Sequence, residues 1–476
     1  MPRRRLRRTT LMTITCLAVV IGIGFSRADL PIAVVVGVVL VVWLRSRLAV
    51  VLIIVGFIAG HARGMDMQKQ LAPYQNAYDT KVTLIASAKE DAVYGKNGQI
   101  TFAVGGVRIA ETGQVLPGKI SVSGFGENAV FTRDELRITG KLRPGLGSYQ
   151  GFMSYAQISV IEHKPFWVYD ARRIFSAAIL STLPEPGASF AMGLLVGQRA
   201  TLPEEVNEHL KVVGLTHIIA ASGYNLTILL HASKRVLGRW SKRLATWLTI
   251  AMIMIFVLMT GGGPSITRAA VVSILSIGIA YYGRRTQPLF LLAFVAAVTA
   301  YKNPLYVWGD PGWYLSFLAF YGVLVVAPIM QSLLPAICTR SVILAVGVES
   351  ICAEIMSLPY ILFVFGQMSF VGLVANMLVT ALVPLAMLLG FIAGLAGLFL
   401  WPIAGWFAWP GAQLLTYMLD VAKILANLPY AYTNNVYIPL SMLVAWYGVV
   451  ALLSWRLGFK DANKIDIINR YNERTQ

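Results

Sequence analysis

Residues 244–282 read L-A-T-W-L-T-I-A-M-I-M-I-F-V-L-M-T-G-G-G-P-S-I-T-R-A-A-V-V-S-I-L-S-I-G-I-A-Y-Y. Two apolar runs, 244–260 and 266–282, flank a Gly-Gly-Gly-Pro-Ser turn. Each is long enough to cross the roughly 30 Å apolar core of a bilayer as a helix. Lys234, Arg235, Arg239, Lys242 and Arg243 precede the pair, and Arg284 and Arg285 follow it, with no acidic residue between Ser233 and Arg243. Lys and Arg collect in cytoplasmic loops, so the glycine turn is expected on the outer side. The stretch therefore reads as a transmembrane hairpin.

The rest of the chain repeats the pattern. Of 476 residues, 57% are hydrophobic and 13% charged, about half the charge of a soluble protein. The net charge of +18 is the sign expected of basic cytoplasmic loops and does not by itself indicate nucleic acid. Further apolar stretches lie near 289–301, 313–330, 342–365, 412–428 and 437–455. The tract 370–401, broken by Asn376, Pro384 and several glycines, reads as one span plus a surface segment or as two half-length helices. Nine to eleven spans result.

At the start, the basic residues 1–8 and the runs 11–25, 31–44 and 48–60 predict three N-terminal spans within residues 1–64, with the N-terminus cytoplasmic. Between 74 and 164 the composition changes. Alternating stretches (K-V-T-L-I-A from Lys81, Q-I-T-F-A-V from Gln99, K-I-S-V-S-G from Lys119, E-L-R-I-T-G-K-L from Glu135) are separated by glycine turns. Four or five short strands in about 90 residues predict a small all-β barrel of the OB type, here extracytoplasmic. Ten Lys/Arg against eight Asp/Glu leave that segment only slightly basic, so strand-binding and purely structural roles both stay open. Residues 165–212, in which Arg172-Arg173 begin the apolar stretch 171–183, read as amphipathic interfacial helices. Residues 213–457 read as the transmembrane channel domain, and 458–476 as a short basic tail. The fold class is a polytopic α-helical membrane protein with an inserted OB-like barrel.

Polar groups inside apolar surroundings are costly and mark sites. His217, Ser222, Gly223 and Asn225 interrupt one apolar stretch. They read as a polar break at a helix start, or as a His/Ser pair, although no G-x-S-x-G elbow is present and no acid is placed to orient the His. Arg268 lies one turn into the second helix of the hairpin, either snorkelling or meeting phosphate or backbone. Asp310 precedes Pro311-Gly312 and is suited to cap the next helix, which carries Ser316. Glu349 and Glu354 share a span, and their spacing of five keeps them off a common face. The three cysteines lack metal spacing, and neither a phosphate-binding loop nor clustered histidines occur. No cofactor, metal or catalytic residue is predicted.

Taken in order, L-L-V-G-Q-R, G-L-T-H-I-I-A-A-S-G-Y-N, P-S-I-T-R-A, K-N-P…D-P-G-W-Y-L-S-F and L-P-Y-I-L-F-V-F-G-Q…A-N-M-L resemble the competence domain of the ComEC family, over about residues 171–455. L-R-P-G…M-S-Y-A, ending at Ala156, resembles the end of that family's N-terminal domain. The resemblance implies an inner-membrane channel importing single-stranded DNA during natural transformation. It places His217, Ser222, Gly223, Arg268, Asp310, Ser316 and Asn376 on motif positions that line or shape the channel. Three positions depart from the motif: Asn225 stands where a second His is common, Gln198 where an Asp is common, and Glu354 in place of an amide. Many members continue into a metallo-β-lactamase-like nuclease domain. Its motifs are not present in this sequence, so no enzyme activity is expected by that route. The implied partners are single-stranded DNA, the bilayer, a separate nuclease and a cytoplasmic DNA-translocating motor, with a homo-oligomer as one arrangement. The alternatives are a transporter of another polymer or solute, and an intramembrane hydrolase built on His217 and Ser222.

Overall fold

The computed structural model describes residues 8–27, 47–94, 99–127, 130–164, 166–198, 202–219, 223–237, 239–284, 287–334 and 342–460. The expected span 31–44, the basic N-terminus, Ser222 and nearly all of the basic tail lie outside these. The described parts form two compact units. One comprises Met1–Ala177, Val196–Thr201 and Leu226–Trp313; the other comprises Ala178–Leu195, Leu202–Asn225 and Tyr314–Gln476.

In the first unit, α1 (Arg8–Phe25) packs along α2 (Arg47–Gln75). Their approach depends on glycines. A Cβ at Gly60 would run into the Val19 carbonyl, one at Gly22 into that of Phe57, and one at Gly64 into Ser26 Oγ. Gly56, Gly60 and Gly64 are four apart, the small-residue spacing that lets membrane helices touch backbone to backbone. Gly60→Val is expected to cost roughly 1–3 kcal/mol by overpacking, read as earlier thermal unfolding in detergent; an unshifted transition would show that the helices can part freely.

The C-terminal end of α2 enters the β domain. Six strands follow: β1 (Lys81–Ala88), β2 (Val93–Tyr94), β3 (Ile100–Ile109), β4 (Val115–Phe125), β5 (Glu135–Pro144) and β6 (Gly151–Glu162). Their order is β1-β5-β6-β4-β3-β2, and β1 also pairs with β3, which closes five of them into a barrel. All pairings are antiparallel except β4–β6. This is the OB-like topology expected from the sequence. The alternation of β1 places Val82, Leu84, Ala86 and Ala88 inside. Leu116, Ile120, Leu136, Ile138, Leu142 and Met153, all with no exposed surface, complete the core. Tyr74 closes one end of it, its hydroxyl donating to the Pro117 carbonyl (2.8 Å).

Next come α3 (Trp167–Thr182), α4 (Gly187–Val196), α5 (Glu204–Val212), α6 (Thr216–Ile219) and α7 (Gly223–Leu237). Within residues 165–212 burial differs from helix to helix. Arg172 is buried and turned to the barrel, and α4 is buried over its whole length. A helix apolar on every side has no polar face to offer headgroups.

The hairpin appears as α8 (Lys242–Met259) and α9 (Pro264–Tyr281). Gly261 and Gly262 take φ of +77° and +64° in its turn, a region open mainly to glycine. Beyond it lie α10 (Pro288–Lys302), α11 (Leu305–Gly309), α12 (Pro311–Tyr321), a π-helical turn at Gly322–Val326, α13 (Ala327–Leu333) and α14 (Val342–Phe365). Then follow α15 (Gly372–Thr380), α16 (Val383–Phe399), α17 (Ala404–Ala426) and α18 (Leu440–Lys460). Among the described residues, six helices are long and apolar enough to cross a membrane, and a seventh span results if the bent pair α15 and α16 counts as one. That pair, bent by 49°, is the two half-length helices the tract 370–401 allowed.

Candidate channel-shaping site

Two polar clusters form around the residues singled out in the sequence, one in each unit.

The first surrounds Arg268. α9 begins at Pro264 because proline fits a first helical turn, and this puts Arg268 one turn in. Only 3% of Arg268 is exposed, so it does not snorkel. Its guanidinium donates to the Gly312 carbonyl (3.1 Å) and lies in the field of Tyr306 and Asp310. Asp310 caps α12, its Oδ1 accepting from the Trp313 amide (3.1 Å); the Asp-Pro-Gly-Trp sequence favours this. Trp313 Nε1 in turn donates to Thr299 Oγ1 (3.0 Å), tying α12 to α10.

Two loops of the barrel are each bonded to a helical segment of this unit. Asn303 Nδ2 donates to the Ser148 carbonyl in the β5–β6 loop (3.0 Å). Tyr149 is pushed up to about 12, by burial first and then by Glu90, Asp310 and Tyr306, so its phenol stays neutral. In the β1–β3 loop, Asp91 pairs with Arg172 Nη1 (3.3 Å) and accepts from the Thr132 amide (2.9 Å) and hydroxyl (2.8 Å). Arg172 also donates to the Val196 carbonyl (3.3 Å), and Gly261 leaves room for it. Sequence reasoning missed Asp91 and Arg172 as a pair, since 81 residues separate them.

The second cluster lies on α14 and α15. Asn376 lies near the Glu354 carboxylate, and Thr380 Oγ1 donates to Asn376 Oδ1 (3.5 Å). Glu354 Oε1 sits beside Gly372, at the N-terminus of α15, while Glu354 Oε2 and Ser369 Oγ are buried without a hydrogen-bond partner. Glu349 faces elsewhere, within the field of Tyr224 and Cys352. The two carboxylates thus have separate surroundings, as their spacing predicted. Tyr224 donates to the Thr380 carbonyl (3.3 Å), and the fully buried Asn225 donates to that of Leu194 (3.1 Å). Ser316 is half-buried on α12. His217 is exposed, its Nδ1 donating to the Gly214 carbonyl (2.9 Å). Gly223 begins α7. The His/Ser distance that a hydrolase requires involves Ser222, outside the described residues.

Backbone irregularity concentrates near the second cluster. Pro359 lies inside the continuous helix α14, the π-turn packs on that helix with Gly322 against the Cys352 carbonyl, and α15 bends into α16. Among the described residues, no group of His, Cys, Asp and Glu could hold a metal ion.

A family model described as Competence protein matches residues 194–460. ComE operon protein 3 of Bacillus subtilis (strain 168) is 25% identical over 235 residues, which are 49% of this chain and 29% of that relative. The match therefore spans under a third of the relative's length. No solved structure matches the chain.

Proposed function

The chain belongs to the Competence protein family, and from that premise we propose that it is a membrane channel importing single-stranded DNA during natural transformation. The N-terminus is cytoplasmic and the barrel extracytoplasmic, where it receives the strand. A separate nuclease and a cytoplasmic translocating motor are the partners this reading calls for. The observation that carries it, beyond the family, is the set of broken helices in the matched region. Non-helical backbone at membrane depth persists where it lines a water-filled cavity or is buried in protein, and half-helices meeting polar groups mark binding sites in transporters. The π-turn and the bent pair beside Glu354 and Asn376 have that character.

The test is uptake of end-labelled DNA by cells deleted for the gene and complemented with the chain, with the barrel present or excised. Strand entry should vanish in the deletion and return with the full chain. Equal entry in deleted and complemented cells would sink the channel reading. A solute transporter would instead leave DNA entry intact and change growth on its substrate.

A further inference from the structure

We propose that the barrel binds single-stranded DNA on the outer face of β4, β5 and β6, with Tyr155 and Phe125 as the stacking platform. The inference rests on the proposed function for the identity of the ligand. It departs from the usual use of such barrels, which bind through the second and third strands and the loops beside them.

Here that usual face is partly covered, although Thr101 and Lys119 on it stay exposed. On the outer side of β3 and β4, Ala103 and Ser123 are only 3% and 8% exposed. The Lys89 side chain crosses Gly105, where an added Cβ would fall 2.6 Å from its Cε. Both neighbouring loops are tied down, one by Asp91 to Arg172 and the other by Ser148 to Asn303.

On the remaining face one residue is out of the ordinary. Tyr155 has φ of +53° and is 80% exposed. A bulky residue in that region is strained, typically by 1–3 kcal/mol, and such strain gathers at functional positions. It arises from a bulge: Ser154 pairs with Lys141 and Gln157 with Thr139, so Tyr155 and Ala156 together oppose Gly140. Glycines on both flanking strands permit this. A Cβ at Gly124 of β4 would strike the Ala156 carbonyl, and one at Gly140 of β5 would lie 3.2 Å from Ala156 Cα. Three positions on three strands thus combine to throw one aromatic ring outward, which is what bulges do next to sites.

The ring stands 6.3 Å from that of Phe125 at a tilt of 30°. Beside them, the outer side of β5 carries Arg137, Lys141 and Arg143, all exposed, and Lys81 is in register with Lys141. The acids nearby are Asp79, 3.0 Å from Lys141, Glu135 and Glu162, both held by Lys164 (2.7 and 3.4 Å), and Glu127, which accepts from the Val160 amide (3.1 Å), against the cations Lys81, Arg137, Lys141, Arg143 and Lys164. The face is therefore net basic around its aromatics. Base stacking on such rings, with cations tracking the backbone, suits an unpaired strand and is indifferent to sequence. A duplex keeps its base faces covered and gains only the charge term.

The test uses the full chain in detergent and a fluorescein-labelled oligo(dT) of about twenty nucleotides, followed by anisotropy. Tyr155→Gly removes the ring and relieves the backbone strain, so it folds at least as well. It should weaken binding about fivefold or more, and Tyr155→Trp should restore it. Lys141→Ala and Arg143→Ala should each lower the salt slope by about one. Unchanged oligonucleotide affinity in Tyr155→Gly overturns the inference, as does equal competition by duplex. Binding of anionic vesicles that is lost in Tyr155→Gly while oligonucleotide affinity holds would assign the face to lipid instead. Oligonucleotide affinity unchanged in Tyr155→Gly while the chain still restores import overturns this inference alone, whereas binding that falls as expected in a chain that restores no import overturns the channel reading alone.

Discussion

Asp91→Ala is expected to lower the stability of the barrel-bearing unit by about 3–5 kcal/mol, a loss comparable to a large share of a domain's net stability. Asp91 and Arg172 meet at 3.3 Å with side chains only 15% and 8% exposed. Burial pulls the Arg172 pKa down and Asp91 draws it back up, so the cation depends on its partner. Removing the carboxylate leaves a guanidinium in a poorly solvated place, held by the Val196 carbonyl, and deprives Thr132 of two bonds. Replacing both partners with apolar residues of similar volume, as in Asp91→Leu with Arg172→Met, should cost far less, because no unpaired charge remains. Thermal unfolding in detergent measures both. If each single variant lost less than about 1 kcal/mol, the pair would be behaving as a wet surface pair, and its part in fastening the β1–β3 loop would be negligible.

The spans were legible because an apolar run of bilayer length has few other uses, and α8 and α9 fall where composition put them. The barrel was legible for the same kind of reason. β1 and β5 keep a two-residue alternation, which a half-buried strand requires, and β3 and β4 keep it over part of their length. β6 was harder to see, since the bulge at Tyr155 and Ala156 breaks its alternation midway. The break that hid the strand also turns Tyr155 outward. Arg172 and Arg173 have partners that no local pattern announces. A basic pair opening an apolar helix has the composition of an interfacial anchor, yet Arg172 finds Asp91, and Arg173 lies 3.7 Å over the ring of Phe131. Periodicity reports which side of a helix is apolar and says nothing about a distant carboxylate. Within the candidate site, Asp310 as a cap could be read from its local sequence, and Glu354 with Asn376 could be flagged from cost alone. That these two meet, and that Arg268 meets a carbonyl 44 residues on, are consequences of packing.

Arg268→Met is expected to leave stability nearly unchanged while lowering DNA uptake by roughly tenfold or more. Two effects of opposite sign meet at this residue. A hydrogen bond from a charged donor contributes about 1.5–3 kcal/mol, and Gly312 accepts one. Burying the charge costs several kcal/mol, offset in part by Asp310. Methionine gives up the bond and the cost together while keeping most of the volume, so the fold should tolerate it. Uptake should not, because Arg268 holds the first turn of α12, the helix that carries Ser316 and runs into the π-turn at Gly322–Val326. A shift of 1.4 kcal/mol in the population of the conducting arrangement is enough for a tenfold loss. Protein level by immunoblot and the melting temperature report the fold, and labelled-strand entry reports the function. Arg268→Lys keeps a charge but offers a single compact ammonium in place of a planar fork, so it should recover only part of the entry. If Arg268→Met imported DNA at the unsubstituted rate, the guanidinium would be a packing element alone, and the passage would have to be sought around Glu354 and Asn376.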